Sequence, residues 1–228
     1  MLKKAFVFCL CAVFSCAICL SSCSSSKQAE ADVLSAEEIA ALREDYPIYT
    51  NTPQISLRAD IPFLDTVKWC HTAALVEITS SPRYYSVSLS GTLPEQLEEK
   101  WEDMDIVNRA YFFEYEAVVL EDAAGILQPR DVITLSCTKE MEECTPELKV
   151  GQKLLTLLDK AASEKPNRYV FDREGAYYVT EDDYILSVFE EEKDAQYTGW
   201  KADAFLDKLR QIDQFGTGLT PEERDIVY

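Results

Sequence analysis

The stretch Tyr111-Phe-Phe-Glu-Tyr-Glu-Ala-Val-Val-Leu120 decides the fold of this chain. Its odd-numbered residues are aromatic, small or β-branched, and they alternate with Glu114 and Glu116, which is typical of a strand with one face in a core. Residues 131–137 alternate in the same way. Gly125 and Pro129 break the chain between the two runs, so the sequence predicts a loose hairpin.

A third apolar run, residues 154–158, is interrupted only by Thr156, which fits a strand buried on both sides or a short helix. Further strands are predicted at residues 168–171, 176–180 and 184–189, with polar turns between them. Short strands separated by such turns are typical of barrels and sandwiches. We therefore expect a mainly β (α+β) fold, in which a small antiparallel barrel carries flanking helices.

The chain is strongly acidic. Among its 228 residues, 41 are Asp or Glu and 22 are Lys or Arg, which gives a formal net charge of −19. Such a surface repels phosphate backbones, so we do not expect nucleic acid as a partner. Hydrophobic residues make up 47% of the sequence, which is enough to build a packed core.

The N-terminal region has the pattern of an export signal. Lys3 and Lys4 precede an apolar stretch, residues 5–20, that is short for a transmembrane helix. The following Leu20-Ser-Ser-Cys23 resembles the bacterial lipobox, in which the cysteine receives a lipid and the chain is cleaved just before it. We predict a signal peptide at residues 1–22, lipidation at Cys23, a flexible tether at residues 23–34, and a lipid anchor on the outer face of the cytoplasmic membrane.

Helix signals flank the predicted barrel. Ser35 and Glu38 form a capping-box pattern, which predicts a helix followed by an extended segment within residues 35–60. Helices are also predicted at residues 63–69 and 202–212. The barrel domain is predicted at residues 61–216 and a tail at residues 217–228. Within the domain, the predicted strands at residues 73–79 and 83–89 are expected to pair as a hairpin.

Residues 91–107 are predicted to form a helical insertion. Leu97, Trp101 and Met104 recur at helical spacing, opposite a glutamate-rich face. A stripe this narrow either packs on the barrel, which we favour, or contacts a partner protein. The replacement Trp101→Ala separates the two: it lowers the melting temperature in the first case and only abolishes partner binding in the second.

From Ala73 onward, the order of motifs resembles a group of uncharacterised extracytoplasmic lipoproteins of Gram-positive bacteria. The motifs are AALVEITS at residues 73–80, YFFEYEAVVLEDAAGIL at 111–127, DVITL at 131–135, PELKVGQKLLTLL at 146–158 and GAYYVTEDDYILS at 175–187. The resemblance implies a barrel similar to the OB-like fold of the inhibitor domains of tissue metalloproteinases. It brings no functional residues with it, and the insertion at residues 91–107 departs from it.

Few catalytic systems fit the sequence. His71 is the single histidine, so any Ser-His-Asp or Cys-His nucleophile system would have to use it. Its place between a predicted helix and a predicted strand favours a structural role. Neither a P-loop nor a dinucleotide-binding glycine motif is present, and no cofactor is expected.

Metal ligands are sparse as well. The spacing of Cys137 and Cys144 is not that of a zinc site. The weak calcium candidates are acidic residues in two turns, Asp172, Glu174, Glu181, Asp182 and Asp183. If residues 176–180 form a strand, these turns lie about 17 Å apart and cannot share an ion. Solvated turn side chains are therefore favoured over a metal site.

The predicted mature chain keeps three cysteines besides Cys23, namely Cys70, Cys137 and Cys144. Extracytoplasmic proteins can form disulfides. Cys137 and Cys144 are the closest in sequence, so we favour a disulfide between them over free thiols.

Three functions are open on the sequence alone. The first is a non-enzymatic binding or interaction module for an envelope protein or glycan; its candidate aromatic contacts are Tyr84, Tyr85, Trp101, Tyr177, Tyr178 and Trp200. The alternatives are an inhibitor or accessory subunit of a cell-envelope enzyme, and a carboxylate-based hydrolase. An exposed aromatic groove favours the first, a protruding insertion without a pocket the second, and an apolar cleft with two inward acids the third.

Overall fold

Apolar and polar residues alternate along most of the strands, so the apolar side chains of each such strand share one face, and that face packs into a core. The computed structural model describes residues 33–50, 62–88, 109–161, 166–171, 175–189, 195–212 and 215. The strands are β1 (Thr72–Ile78), β2 (Arg83–Ser88), β3 (Arg109–Asp122), β4 (Val132–Thr138), β5 (Lys153–Lys160), β6 (Arg168–Phe171), β7 (Tyr177–Val179) and β8 (Ile185–Ser187). The helices are α1 (Ala36–Leu42), α2 (Phe63–Trp69) and α3 (Ala202–Arg210), and a 3-10 helix spans Lys139–Cys144.

Five of these strands form a closed barrel. They follow the order β1-β3-β4-β6-β5, and β5 closes the ring by pairing with β1. β4 and β6 run parallel, whereas the other neighbours in the ring are antiparallel. β7 and β8 extend the sheet from β5. The protein therefore has a mainly β, OB-like α+β fold, which confirms the predicted fold class.

The pairing of β2 differs from the prediction. The expected hairpin between β1 and β2 is wrong, because β2 pairs with the first half of β3, from Arg109 to Glu114. β1 pairs with the second half of β3 and also with β5, so both of its edges are occupied within the barrel. A short turn between two strands indicates a hairpin only when an edge of the first strand is free.

Two cores lie on opposite sides of β5. Leu154 and Leu158 belong to the barrel interior, whereas Leu155 and Leu157 belong to a second core that includes residues of α2 and α3. Thr156 is also buried. The prediction of a strand buried on both sides is thus correct for this run, and the alternative of a short helix is wrong.

The flanking helices attach in different ways. In α1 the capping box forms as predicted: the Ser35 hydroxyl accepts from the Glu38 N–H at 3.3 Å, and the Glu38 carboxylate accepts from the Ser35 N–H at 2.8 Å. α1 buries none of its residues, and the next segment is held by Arg43, whose Nη1 donates to the Ser187 carbonyl at 2.8 Å. α2 and α3 bury apolar stripes against the second core, including Phe63 and Phe205.

Several predicted features lie outside the described residues. They are the signal peptide, Cys23, most of the tether, the insertion with Leu97, Trp101 and Met104, the turn residues Asp172 and Glu174, and the tail. Contacts divide the chain into two units, Met1–Val33 and Leu34–Tyr228, and the fold above belongs to the second.

Candidate functional site

The outer face of the barrel carries the side chains of β3 that point away from the core. The odd-numbered residues of β3 fill the barrel, so Phe112 and Glu114 lie on the outside. The register fixes their neighbours on that face. Tyr85 of β2 pairs with Phe112, Ser136 of β4 pairs with Glu114, and Val170 of β6 pairs with Ser136.

A cleft of about 350 Å³ opens on this face, between side chains of β2, β3, β4 and β6. Its walls are mainly apolar and include Val87, Phe112 and Val170. Tyr85 and Arg168 also line it. The volume lies at the lower end of the range for small-molecule sites. Among the residues described, those that line the cleft include no carboxylate.

One residue that lines the cleft, Arg168, belongs to a buried ion pair. Arg168 is the first residue of β6, and its Nη2 lies 2.6 Å from the Oε2 of Glu114. The side chains of both residues are almost fully buried, with 10% and 3% of their surface exposed. The other oxygen of Glu114 accepts from Arg83, whose side chain is 65% exposed. Glu114 is thus shared by two guanidinium groups, and the group of three carries one positive charge in excess.

The Nε of Arg168 is the unusual atom of this site. It is buried and has no hydrogen-bond partner in the part of the chain that the structure describes. Buried polar groups in proteins are nearly always paired, and leaving one unpaired costs about 1–3 kcal/mol. Arg168 therefore keeps donor capacity at a site where water has little access.

Aromatic rings surround the guanidinium. The Cζ of Arg168 lies 4.5 Å from the centre of the Tyr85 ring, a cation–π distance. The Tyr85 ring stacks on Phe112, with 5.2 Å between ring centres and 16° between planes. The Tyr85 hydroxyl also forms a 3.0 Å hydrogen bond with the Ser136 hydroxyl, which fixes the ring at its far end. The cleft thus combines a rigid aromatic wall, an apolar wall and a cation.

A second cavity, of about 290 Å³, is lined by residues of β3, the turn before β2 and the region around the 3-10 helix. Its members include Tyr84, Tyr115 and Glu142. The Tyr84 hydroxyl donates to Glu142, and this hydrogen bond raises the pKa of Tyr84. Burial raises the pKa of Tyr115. Both hydroxyls therefore stay protonated at neutral pH and act as hydrogen-bonding groups rather than as charges.

The predicted aromatic contacts separate into three groups. Tyr85 lies in the cleft, whereas Tyr84 is exposed and lines the second cavity. Tyr177 and Tyr178 are buried in the two cores, so they pack in the interior and cannot contact a ligand. Trp200 is half-buried and packs edge-on against Tyr197, at 5.5 Å between ring centres. Trp101 lies outside the described residues.

The calcium candidates within the described residues do not gather into a metal site. Glu181, Asp182 and Asp183 occupy the turn between β7 and β8. The carboxylate of Asp183 pairs with Lys153 at 3.1 Å. Over the part of the chain that the structure covers, no group of three or more His, Cys, Asp or Glu residues could hold a metal ion.

The structure has thiols at Cys137 and Cys144 and no bridge between them. Cys137 packs in the barrel core at the end of β4, and Cys144 is buried at the far end of the 3-10 helix. The predicted disulfide is therefore not present in this structure.

His71 has structural contacts in the connection between α2 and β1. Its N–H donates to the Leu158 carbonyl at 2.9 Å, which extends the pairing of β1 with β5. Its ring lies 6.0 Å from that of Tyr169. These contacts agree with the structural role expected for this residue.

Sequence reasoning did not single out Arg168 or Glu114. Glu114 stood out only as an outward residue of a strand, and Arg168 only as the start of another. One signal was available in retrospect: Glu114 follows Phe112 on the outer face of β3, so that face is not wholly polar. The pairing itself depends on β4 and β6 lying side by side, which no local pattern encodes.

Comparison with known proteins identifies no family for this chain. No family model matches it, and no curated protein matches it. Within the described residues, none of the helices has the length and apolar character needed to cross a membrane.

Proposed function

We propose that this protein is a lipid-anchored module on the outer face of the cytoplasmic membrane, in a cell envelope of the Gram-positive type, and that it binds a small ligand without transforming it. The observation that carries the binding function is the cleft on the outer face of β3 and β4. These strands take the positions of the second and third strands of an OB barrel, whose outer face is the usual ligand site of that fold. The ligand is a small molecule or the exposed part of an envelope protein or glycan.

The composition of the cleft favours binding over hydrolysis. A carboxylate-based hydrolase needs two acids that face the substrate. Glu114, which pairs with the cleft residue Arg168, is buried and shared with Arg83. Binding sites for small ligands are typically lined by apolar and aromatic side chains with a few polar or charged groups, and the cleft has this composition.

Blocking the cleft tests the binding function. The lipidated full chain in detergent micelles is titrated with a panel of N-acetylated amino acids, dipeptides and disaccharides, with calorimetry as the readout. We expect Val170→Trp, which fills the mouth of the cleft, to abolish the binding found for the parent. Val132→Trp is the matched control, because Val132 on β4 is exposed like Val170 on β6 but does not line the cleft. Equal binding by the two variants would contradict the proposed site.

The anchor rests on the lipobox pattern that ends at Cys23, and it has its own test. Two or three acyl chains hold a protein at a membrane, whereas a single chain or none does not. We expect Cys23→Ala to leave the precursor uncleaved or to release the protein into the medium. Ser24→Ala, next to it, is the control and should change neither processing nor fractionation. Membrane-bound, normally processed Cys23→Ala protein would disprove the anchor.

A further inference from the structure

We propose that the cleft recognises a carboxylate attached to a small apolar group, and that Arg168 binds this carboxylate. The inference rests on the binding function proposed above and adds the chemical class of the ligand.

The donor capacity of Arg168 is the first support. A guanidinium group presents five N–H donors in one plane, arranged to bind a carboxylate through two parallel hydrogen bonds. Glu114 takes up Nη2, whereas Nε has no partner among the described residues. The side chain is nine-tenths buried, yet it lines the cleft. A ligand that enters the cleft therefore meets a largely desolvated guanidinium group that uses one of its nitrogens to bind Glu114.

The charge of the site points to a monoanion. Arg83 and Arg168 together exceed the charge of Glu114 by one unit. Glu114 divides its single negative charge between the two guanidinium groups, so it compensates the charge of the buried Arg168 only in part. One carboxylate in the cleft would balance the excess charge of the group. The net charge of −19 on the whole chain opposes the approach of ligands with several negative charges, such as phosphates.

The walls of the cleft define the rest of the ligand. Phe112 and Val170 offer apolar surface, and the stacked ring of Tyr85 is held in place by Ser136. In that pair of hydroxyls one donates to the other, and the hydroxyl that accepts keeps its own hydrogen for a further acceptor. A cleft of about 350 Å³ holds a compact apolar group, such as one leucine or phenylalanine side chain.

A carboxylate of this kind has two sources, a free acid or the C-terminus of a peptide. Matched pairs of probes distinguish them. N-acetyl-phenylalanine and its amide represent the free acid, and a pentapeptide that ends in phenylalanine, with a free or an amidated terminus, represents the peptide. Binding is measured by calorimetry on the lipidated full chain in micelles.

We expect at least one acid to bind tenfold or more tightly than its amide. Arg168→Lys keeps the charge but not the planar fork, so this preference should fall severalfold. The double replacement of Arg168 by Met and Glu114 by Leu removes the ion pair as a unit and should abolish the preference. Arg83→Met is the matched control, since Arg83 shares Glu114 but does not line the cleft, and it should retain the preference. Circular dichroism checks that each variant is folded; Arg168→Lys decides alone if the double variant is not.

The outcomes separate this inference from the function on which it rests. Acid and amide that bind equally, and are both blocked by Val170→Trp, would overturn the role of Arg168 and leave the cleft as a binding site. A preference that survives in Arg168→Lys and in the double variant would overturn the inference as well. If no probe in the whole panel shows binding that Val170→Trp weakens, the binding function itself falls.

Discussion

Replacing Glu114 by glutamine should destabilise the protein by about 3 kcal/mol. The change keeps the shape of the side chain and removes only its charge, so Arg168 stays buried without a counter-ion. Two unit charges about 4 Å apart interact by about 4 kcal/mol at the effective dielectric constant of a protein. Removal of one partner of a buried ion pair typically costs about 3–5 kcal/mol. Part of this loss is recovered because Arg168 retains some exposure towards the cleft.

The matched control acts on the same carboxylate from the solvent side. Arg83→Ala removes the exposed partner of Glu114. It should lower the stability by at most about 1 kcal/mol, because exposed ion pairs contribute about 0–1 kcal/mol. The double replacement Glu114→Leu with Arg168→Met should bring the stability back to near that of the parent, because well-packed apolar residues often replace buried ion pairs without loss.

Urea denaturation, monitored by circular dichroism, measures the free energy of unfolding of all these variants. For a unit of this size, a loss of about 3 kcal/mol also lowers the melting temperature by about 6–12 °C. A Glu114→Gln protein that loses less than about 1 kcal/mol would show that water reaches Arg168 freely. The buried charge on which the carboxylate site depends would then not exist.

Three further predictions follow from the packing. Gly175→Ala should lower the stability by about 3 kcal/mol, because φ is +73° and the added Cβ would lie 2.5 Å from the Leu157 Cγ. Gly151→Ala should lower it by only about 1 kcal/mol, because φ is +84° but the space around the added Cβ is open. Thermal melts compare the two variants. Burial raises the pKa of Tyr178 from 10.0 to about 12, so the unfolded chain releases this proton at a lower pH than the folded chain. The contribution of Tyr178 to stability therefore falls by about 3 kcal/mol between pH 10 and pH 12. Urea titrations of Tyr178→Phe should lack this part of the loss. Alkylation of the unfolded, unreduced protein should modify three thiols, Cys70, Cys137 and Cys144, and mass spectrometry that finds fewer would restore the predicted disulfide.

The sequence predicts the local elements well. The alternation around Tyr115 defines β3, and the Ser35 capping box forms as expected. These signals are local, because they depend on residues a few positions apart. The partner of β2 could not be predicted, since the choice depends on which strand edges the barrel leaves free. The same limit hides the site, because Glu114 and Arg168 meet only after β3, β4 and β6 are aligned.

The pairing of β1 with β5 constrains when this protein can complete its folding. Thr72 pairs with Leu158, so one edge of β1 stays open until the chain has been extended through most of its length. β6 comes later still, and it completes the ring between β4 and β5. Closures between residues so far apart are slow, because the entropy of the long intervening loop is lost before the contacts form. A chain that emerges from its N-terminus would therefore keep the barrel open, with the Arg168 site unformed, until the end of β6 at Phe171 has emerged.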